Sequence, residues 1–268
     1  MEEVIVLSEE QMLVEEAKEL VAANENSKRE FAIGDIHGAH RALRQCLDLV
    51  KFDIDKDKLI ALGDYSDGWP ETPYVVEELM QIKNLVALRG NHDWWTYEWM
   101  KYGIAHLGWR NQGGDKTIDS YTEFFMENPD AREIHKDFFS NLNWYYVDGN
   151  KRLFIHAGYT SDTGVAGESG TNSFIWDRTL WEDTLSMANH EQPIKTRVYS
   201  EIFIGHSTTK RWDTDEPMEA HNITNLDTGA GYDGRLTIMD VNSKEYWQSD
   251  PVKELYADTD FKGRGNYR

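Results

Sequence analysis

A chain of 268 residues with a single cysteine and a substantial apolar and aromatic content is long enough to bury a core as one large domain, and it is excluded from the disulfide-stapled class. Its net charge of −20 opposes the basic face that a nucleic-acid binder needs to release counterions, and no apolar run is long enough to span a membrane. Nucleic acid and membrane are therefore not expected as partners; part of the acidity is expected to be offset by bound metal cations and the rest to be solvated surface.

The acidic start, MEEVIVLSEEQ, lacks a basic region and a small-residue cleavage site, so a signal peptide is not expected and a cytoplasmic protein is. Ser8-Glu9-Glu10-Gln11 has the form of a capping box. It opens a helix expected to run to about Val21 within an N-terminal extension, residues 1–27. Glu30 to Ile33 reads as a strand. Arg41 to Val50 places Ala42, Leu43, Cys46, Leu47 and Val50 at helical spacing. Lys58 to Leu62 reads as a strand, Thr72 to Ile82 as a helix and Leu85 to Leu88 as a strand. This alternation predicts parallel strands. From Trp94 to about Asn143 the chain is aromatic and helical in pattern. Strands return at Leu153 to Ile155, Ile202 to Ile204, Ile223 to Leu226, Leu236 to Val241 and Glu245 to Gln248. A catalytic domain is expected over 28–250 and a C-terminal tail over 251–268, whose stretch DTDFKGRGNYR, 258–268, has little core material and is expected to be mobile.

One pattern recurs: an apolar strand, then glycine, then an acid, an amide or a histidine. It appears as FAIGDIHG, LIALGDYSD, VALRGNHD, LFIHAG and IFIGHS. Ligands of open α/β sheets bind beyond the carboxyl ends of strands, so Asp35, His37, Asp64, Asp67, Asn91, His92, His156 and His206 can converge from distant parts of the chain. Carboxylates, imidazoles and an amide oxygen suit Mn, Fe or Zn better than Ca or Mg. Two such ions need about six ligands and a bridging carboxylate. Cys46 falls on an apolar helix face and is read as core. His106, His135, His190 and His221 lack partners at ligand spacing, and His40 is disfavoured as a ligand. The aromatic run Trp94, Trp95, Tyr97, Trp99, Tyr102 and Trp109 is read first as cap packing and second as a nucleobase platform. GVAGESG lacks the Lys-Ser or Lys-Thr of a P-loop and is read as a flexible loop over the site.

The ordered set GDIHG, GDYSDG, RGNHD, HAG and GHS resembles the calcineurin-like metallophosphoesterases, and most nearly the bacterial and phage branch of serine/threonine phosphoprotein phosphatases. Asn111-Gln112-Gly113-Gly114 through Ser120-Tyr121, Trp176-Asp177-Arg178 and Asp227-Thr228-Gly229-Ala230 resemble that branch too. The resemblance implies an α/β four-layer sandwich of two mixed sheets with helices outside and a helical cap at about 94–143. It implies two divalent metal ions, manganese first and iron or zinc as alternatives, held by Asp35, His37 and Asp64 and by Asp64, Asn91, His156 and His206. Phosphomonoesters would be hydrolysed by direct attack of a metal-bridging hydroxide. His92 would protonate the leaving oxygen, Asp67 would orient His92, and Arg89 and Arg178 would bind phosphate. The substrate would be a phosphorylated protein or a small phosphoester; the alternatives are a symmetrical dinucleoside polyphosphate hydrolase and a non-catalytic binding module. One position departs from the pattern: the branch usually carries arginine directly after the second-motif aspartate, and here Gly68 follows Asp67, leaving a phosphate contact to Arg178 or Arg110.

Overall fold

A computed structural model describes residues 29–190, 198–260 and 263–264; the extension 1–27 and its expected helix lie outside these residues. The first sheet is built on β1 (Glu30–Ile33), β2 (Lys58–Ala61) and β3 (Asn84–Ala87), paired in parallel. The helix α1 (His40–Leu49) and α2 (Thr72–Met80) make the crossovers that parallel pairing requires. Two further strands, β9 (Thr237–Asp240) and β10 (Tyr246–Gln248), extend the sheet antiparallel beyond β1. The second sheet contains β4 (Tyr145–Val147), β5 (Arg152–Ile155), β6 (Glu201–Ile204), β7 (Met218–Ala220) and β8 (Ile223–Asn225), in the order β4-β5-β6-β8-β7. Here β5, β6 and β8 are parallel and the two edge strands antiparallel. Both sheets are five-stranded and mixed.

Side-chain alternation decides the layering. Along β1, Phe31 and Ile33 join the core under the helices, while Ala32 points into the layer between the sheets. Ile60, Leu62 and Val86 meet Phe154, Phe203 and Leu226 in that inner layer, and the rings of Phe154 and Phe203 stack with centroids 4.8 Å apart. Cys46 lies on the buried face of α1, as read from the sequence, with burial pushing its thiol up to about 12.

The expected cap is present as α3 (Asn91–Tyr102), the short α4 (Leu107–Trp109), a kinked stretch at Arg110–Gly114, α5 (Asp115–Glu127) and α6 (Ala131–Ser140). It packs on the first sheet's helical layer: Tyr121, Phe124, Ala131 and Phe139 share a core with α1 and α2. His135 of α6, read as structural, bonds the Tyr121 hydroxyl at 3.0 Å and Glu77 of α2 at 2.8 Å. Two helices not foreseen, α7 (Asn172–Trp176) and α8 (Thr179–Asn189), cover the second sheet with Phe174, Ile175, Leu180 and Trp181.

The start of the C-terminal tail packs on the core. A last turn, α9 (Val252–Leu255), buries Val252, and Tyr256 stacks on Trp69 with ring centroids 4.7 Å apart. The tail therefore contributes to the core as far as Tyr256. Among the described residues, no helix is long and apolar enough to cross a membrane.

Candidate metal centre

Six strands, β1, β2, β3, β5, β6 and β8, end at one rim of the sandwich, and a polar side chain follows each: Asp35, Asp64, Asn91, His156, His206 and Asp227. The turns that aim them are strained. His37, Asp64, Asp67 and His206 have φ of 52°, 53°, 73° and 62°, a region that costs a non-glycine residue about 1–3 kcal/mol. Local bonds hold them there. The amide of His37 donates to the Asp64 carbonyl at 2.8 Å, and the His206 amide donates to Asp35 Oδ2 at 3.0 Å. Gly90 is needed for a different reason: a β-carbon there would lie 2.0 Å from Asp64 Oδ1.

The result is two ligand groups sharing one carboxylate. Asp35, His37 and Asp64 form one, and Asp64, His156 and His206 the other, with the donor atoms of each within 4.8 Å of one another. Asn91 Oδ1 lies 3.2 Å from His156 Nε2 and so joins the second group. His37 Nδ1 is bonded to the Ser66 carbonyl at 3.0 Å and His156 Nδ1 to that of Leu62 at 2.8 Å. Each ring thus spends its proton on backbone and turns Nε2 inward as a lone pair. His206 Nε2 is buried without any hydrogen-bond partner. Burial holds His156 down at about 4 and pushes His37 and His206 well below the usual histidine range. Burial and the neighbouring charges of Asp227 and Asp64 push Asp35 well up, and burial raises Asp64 to about 6. Neutral imidazoles, crowded carboxylates and an orphaned ring nitrogen are a donor set that divalent metal ions fit.

Asp93 was not singled out from the sequence. It is buried and accepts the amides of Asp64 at 2.7 Å, Tyr65 at 2.8 Å and Gly90 at 2.9 Å, so it shapes the turn that presents Asp64. Its signal was its place three residues into α3, where an acid reaches back to its own cap.

His92 and Asp67 stand beside this centre. His92 Nδ1 lies 2.5 Å from Asp67 Oδ2. Asp67 also accepts from Trp109 Nε1 at 2.5 Å and from the Thr117 hydroxyl at 2.6 Å. Burial pushes His92 down to about 3 and Asp67 up to about 7, the latter against the pull of Thr117 and Trp109. Nδ1 faces Asp67, which leaves Nε2 as the ring nitrogen not engaged by that carboxyl group.

Asp35, His37, Asp64, Asn91, His92 and His206 line a cleft of about 370 Å³. Arg178 lines it too, with Nη1 donating to the His206 carbonyl at 2.7 Å and to Ser207 Oγ at 3.1 Å. Arg89, expected to bind phosphate, is not among the residues that line it. Its guanidinium donates to the carbonyls of Phe139 and Ser140 and lies 4.4 Å from the Trp144 ring and 5.2 Å from that of Trp94. Arg110 is also elsewhere, paired with Asp115 at 2.6 Å on the surface. No residue of Gly164 to Gly170 lines the cleft, contrary to the reading of that loop. Most of the aromatic run packs within the cap; Trp109 reaches Asp67, and Trp95 lies 5.2 Å from the His92 ring and 5.0 Å from that of Trp176. Asp227, Arg211, Tyr232 and Arg264 line the cleft without having been assigned to it from the sequence.

Comparison with known proteins gives a consistent family and a divided substrate. The model of the calcineurin-like phosphoesterase family matches residues 31–254. Serine/threonine-protein phosphatase 1 of Salmonella typhimurium is 24% identical over 223 residues, covering 81% of this chain and 93% of that protein. The symmetrical bis(5'-nucleosyl)-tetraphosphatase of Nitrosospira multiformis is 31% identical over 130 residues, 48% of this chain and 42% of that protein. The matched region thus spans less than half of that relative's length. A metallophosphoesterase structure from Sphaerobacter thermophilus superposes with a TM-score of 0.54 at 14% identity, over 86% of this chain and 93% of that one, which shows the fold.

Proposed function

Because the chain belongs to the calcineurin-like phosphoesterase family, we propose that it is a metal-dependent phosphatase of phosphomonoesters, with phosphoserine and phosphothreonine in proteins as leading substrates. The observation that carries this reading is the pair of ligand groups sharing Asp64 beside the His92–Asp67 bond. Asp35, His37 and Asp64 would hold one divalent ion, and Asp64, Asn91, His156 and His206 a second. Manganese is the first candidate, and iron and zinc suit the same donors. Bound there, the ions supply Lewis acidity toward phosphate oxygens and a water of lowered pKa.

The chain supplies the rest. His92 gives the proton on Nε2 to the leaving oxygen, and Asp67, fixed by Trp109 and Thr117, keeps the ring oriented. Arg178 presents a planar fork to the phosphate from the rim. The only thiol, Cys46, is buried on α1 and pushed up to about 12, so a cysteinyl-phosphate route has no nucleophile, and direct attack by water is the reading that remains.

The near full-length match to a serine/threonine phosphatase favours the phosphomonoester. A second reading, symmetrical cleavage of a dinucleoside tetraphosphate, rests on Trp176, which lines the cleft, is 37% exposed and offers a face to a base. Manganese-loaded protein is given a mixture of phosphoserine and phosphothreonine peptides, and separately diadenosine tetraphosphate, with orthophosphate and ADP quantified. Orthophosphate from the peptides with little ADP supports the first reading. ADP with little peptide turnover replaces it by the second.

A further inference from the structure

Gly68 stands where the related phosphatases place a phosphate-binding arginine, yet the space is not vacant. A β-carbon on Gly68 would lie 3.3 Å from Cγ of Arg264. The stem of an arginine from the far end of the chain runs past the residue that lacks a side chain. Its backbone is fixed. The Arg264 amide donates to the Gly231 carbonyl at 2.9 Å, and Gly263, at φ +58°, lies so close to Trp69 that a β-carbon would approach the indole to 2.8 Å. Trp69 is itself held by its Nε1 bond to the Ala230 carbonyl at 2.7 Å and by the stack on Tyr256.

The guanidinium faces the cleft. It lies 4.7 Å from the Tyr232 ring centroid. Nη1 is 3.4 Å from His37 Nε2, and Nη2 is 3.4 Å from Gln112 Oε1. Both contacts are long for hydrogen bonds, and among the described residues Arg264 makes no ion pair. The other cleft arginines are more committed. Arg211 is paired with Glu182 at 2.7 Å, and Arg178 is tied to the His206 carbonyl. A cation on His37 Nε2 would repel this guanidinium unless an anion lay between them.

The geometry points to Arg264 as a substrate-binding residue: the C-terminal segment delivers a guanidinium that grips the phosphate dianion in place of the arginine absent at position 68. This rests on the phosphoesterase reading above and goes beyond it, since the contact comes from a segment outside the signature motifs. A phosphomonoester dianion and the singly charged internal phosphates of a dinucleoside polyphosphate both offer anionic oxygens to a guanidinium, so the inference extends to either substrate, with the stronger grip on the dianion.

The test is calorimetric titration of manganese-loaded wild type, Arg264→Ala and Arg264→Lys with inorganic phosphate, together with metal content and with KM and kcat on a phosphopeptide. The alanine variant is expected to bind phosphate about 10- to 100-fold more weakly, the loss of a charge-assisted bond. KM should rise and metal stoichiometry should stay unchanged. Lysine is expected to restore part of the affinity, because it keeps the charge and loses the fork. Phosphate affinity equal to wild type in the alanine variant overturns the inference, as does loss of metal, which would make Arg264 a support for His37. If wild type with manganese neither binds phosphate nor hydrolyses any ester, the phosphoesterase reading itself falls and takes the inference with it. That failure differs visibly from a change confined to the variants.

Discussion

At the scale of single residues, the strongest chemical statement concerns His92. Its ring is outside both ligand groups, and its Nδ1 is occupied by Asp67 at 2.5 Å, so its function is set by the remaining nitrogen. If Nε2 donates the proton to the leaving oxygen, the loss from His92→Asn must depend on how much that oxygen needs a proton. With a phosphoserine peptide, turnover should fall by about 10²–10⁴. With an activated aryl phosphate, whose leaving group departs as an anion, it should fall far less. Metal content should be that of wild type. A loss of the same size on both substrates would assign His92 to orienting the phosphate rather than to protonation. Arg89 shows the limit of reading a residue from its motif. It stands two residues before the candidate ligand Asn91, but its guanidinium lies against the rings of Trp94 and Trp144. Position beside a site does not determine the direction in which a long side chain leaves the backbone.

At the scale of elements, the cap does more than cover the sheet. Trp109 from α4 and Thr117 from α5 reach down to Asp67, and the Asp67 amide in turn donates to the Thr117 hydroxyl at 2.9 Å. The hydroxyl is a donor and an acceptor at once, and both groups it satisfies are buried. Thr117→Val keeps the shape and removes both bonds. It should cost about 1–3 kcal/mol in chemical denaturation, and turnover on a phosphopeptide should fall as Asp67 loses a donor. Unchanged stability would mean that the cap rests on Asp67 without holding it. This coupling was not legible in the sequence, because Trp109 and Thr117 are separated from Asp67 by the whole of α3 and belong to no repeated pattern. The strands and the ligands were legible for the opposite reason. Each is a local unit, an apolar run closed by glycine and a polar residue, and the topology gathers those units at one rim. The short strands β4 and β7 carried no such unit: Tyr145–Val147 is half exposed along its length, and Met218–Ala220 is an edge strand of three residues. Arg264 was not legible because the stretch from Asp258 onward carries little apolar material, and nothing local in it marks the approach of its arginine to Gly68.

At the scale of the molecule, a net charge of −20 attracts divalent cations and repels phosphate, so metal and substrate impose opposite demands on one cleft. The structure divides the two demands between side chains, since buried Asp35 and Asp64 and the part-exposed Arg178 and Arg264 line the same cleft. Metal binding then acquires a defined pH dependence. A bound ion needs its carboxylates ionised and its imidazoles neutral. The imidazoles are already neutral, since burial has pushed them down, His156 to about 4. The carboxylates set the limit, since Asp64 is raised to about 6 and Asp35 is also raised, so they take up protons as the pH falls. Protons therefore compete with metal through the carboxylates. Affinity should be nearly flat well above pH 6 and fall by at least about tenfold per pH unit below it, one factor of ten for each proton displaced. Calorimetric manganese titrations in buffers of different ionisation enthalpy count those protons directly. Release should be near zero at pH 8 and reach at least one proton per site pair near pH 5.5. In Asp64→Asn, which also loses the shared ligand, the remaining binding should release fewer protons at the acidic end. Undiminished release in that variant would take the competing protons off Asp64 and place them on Asp35 or the histidines.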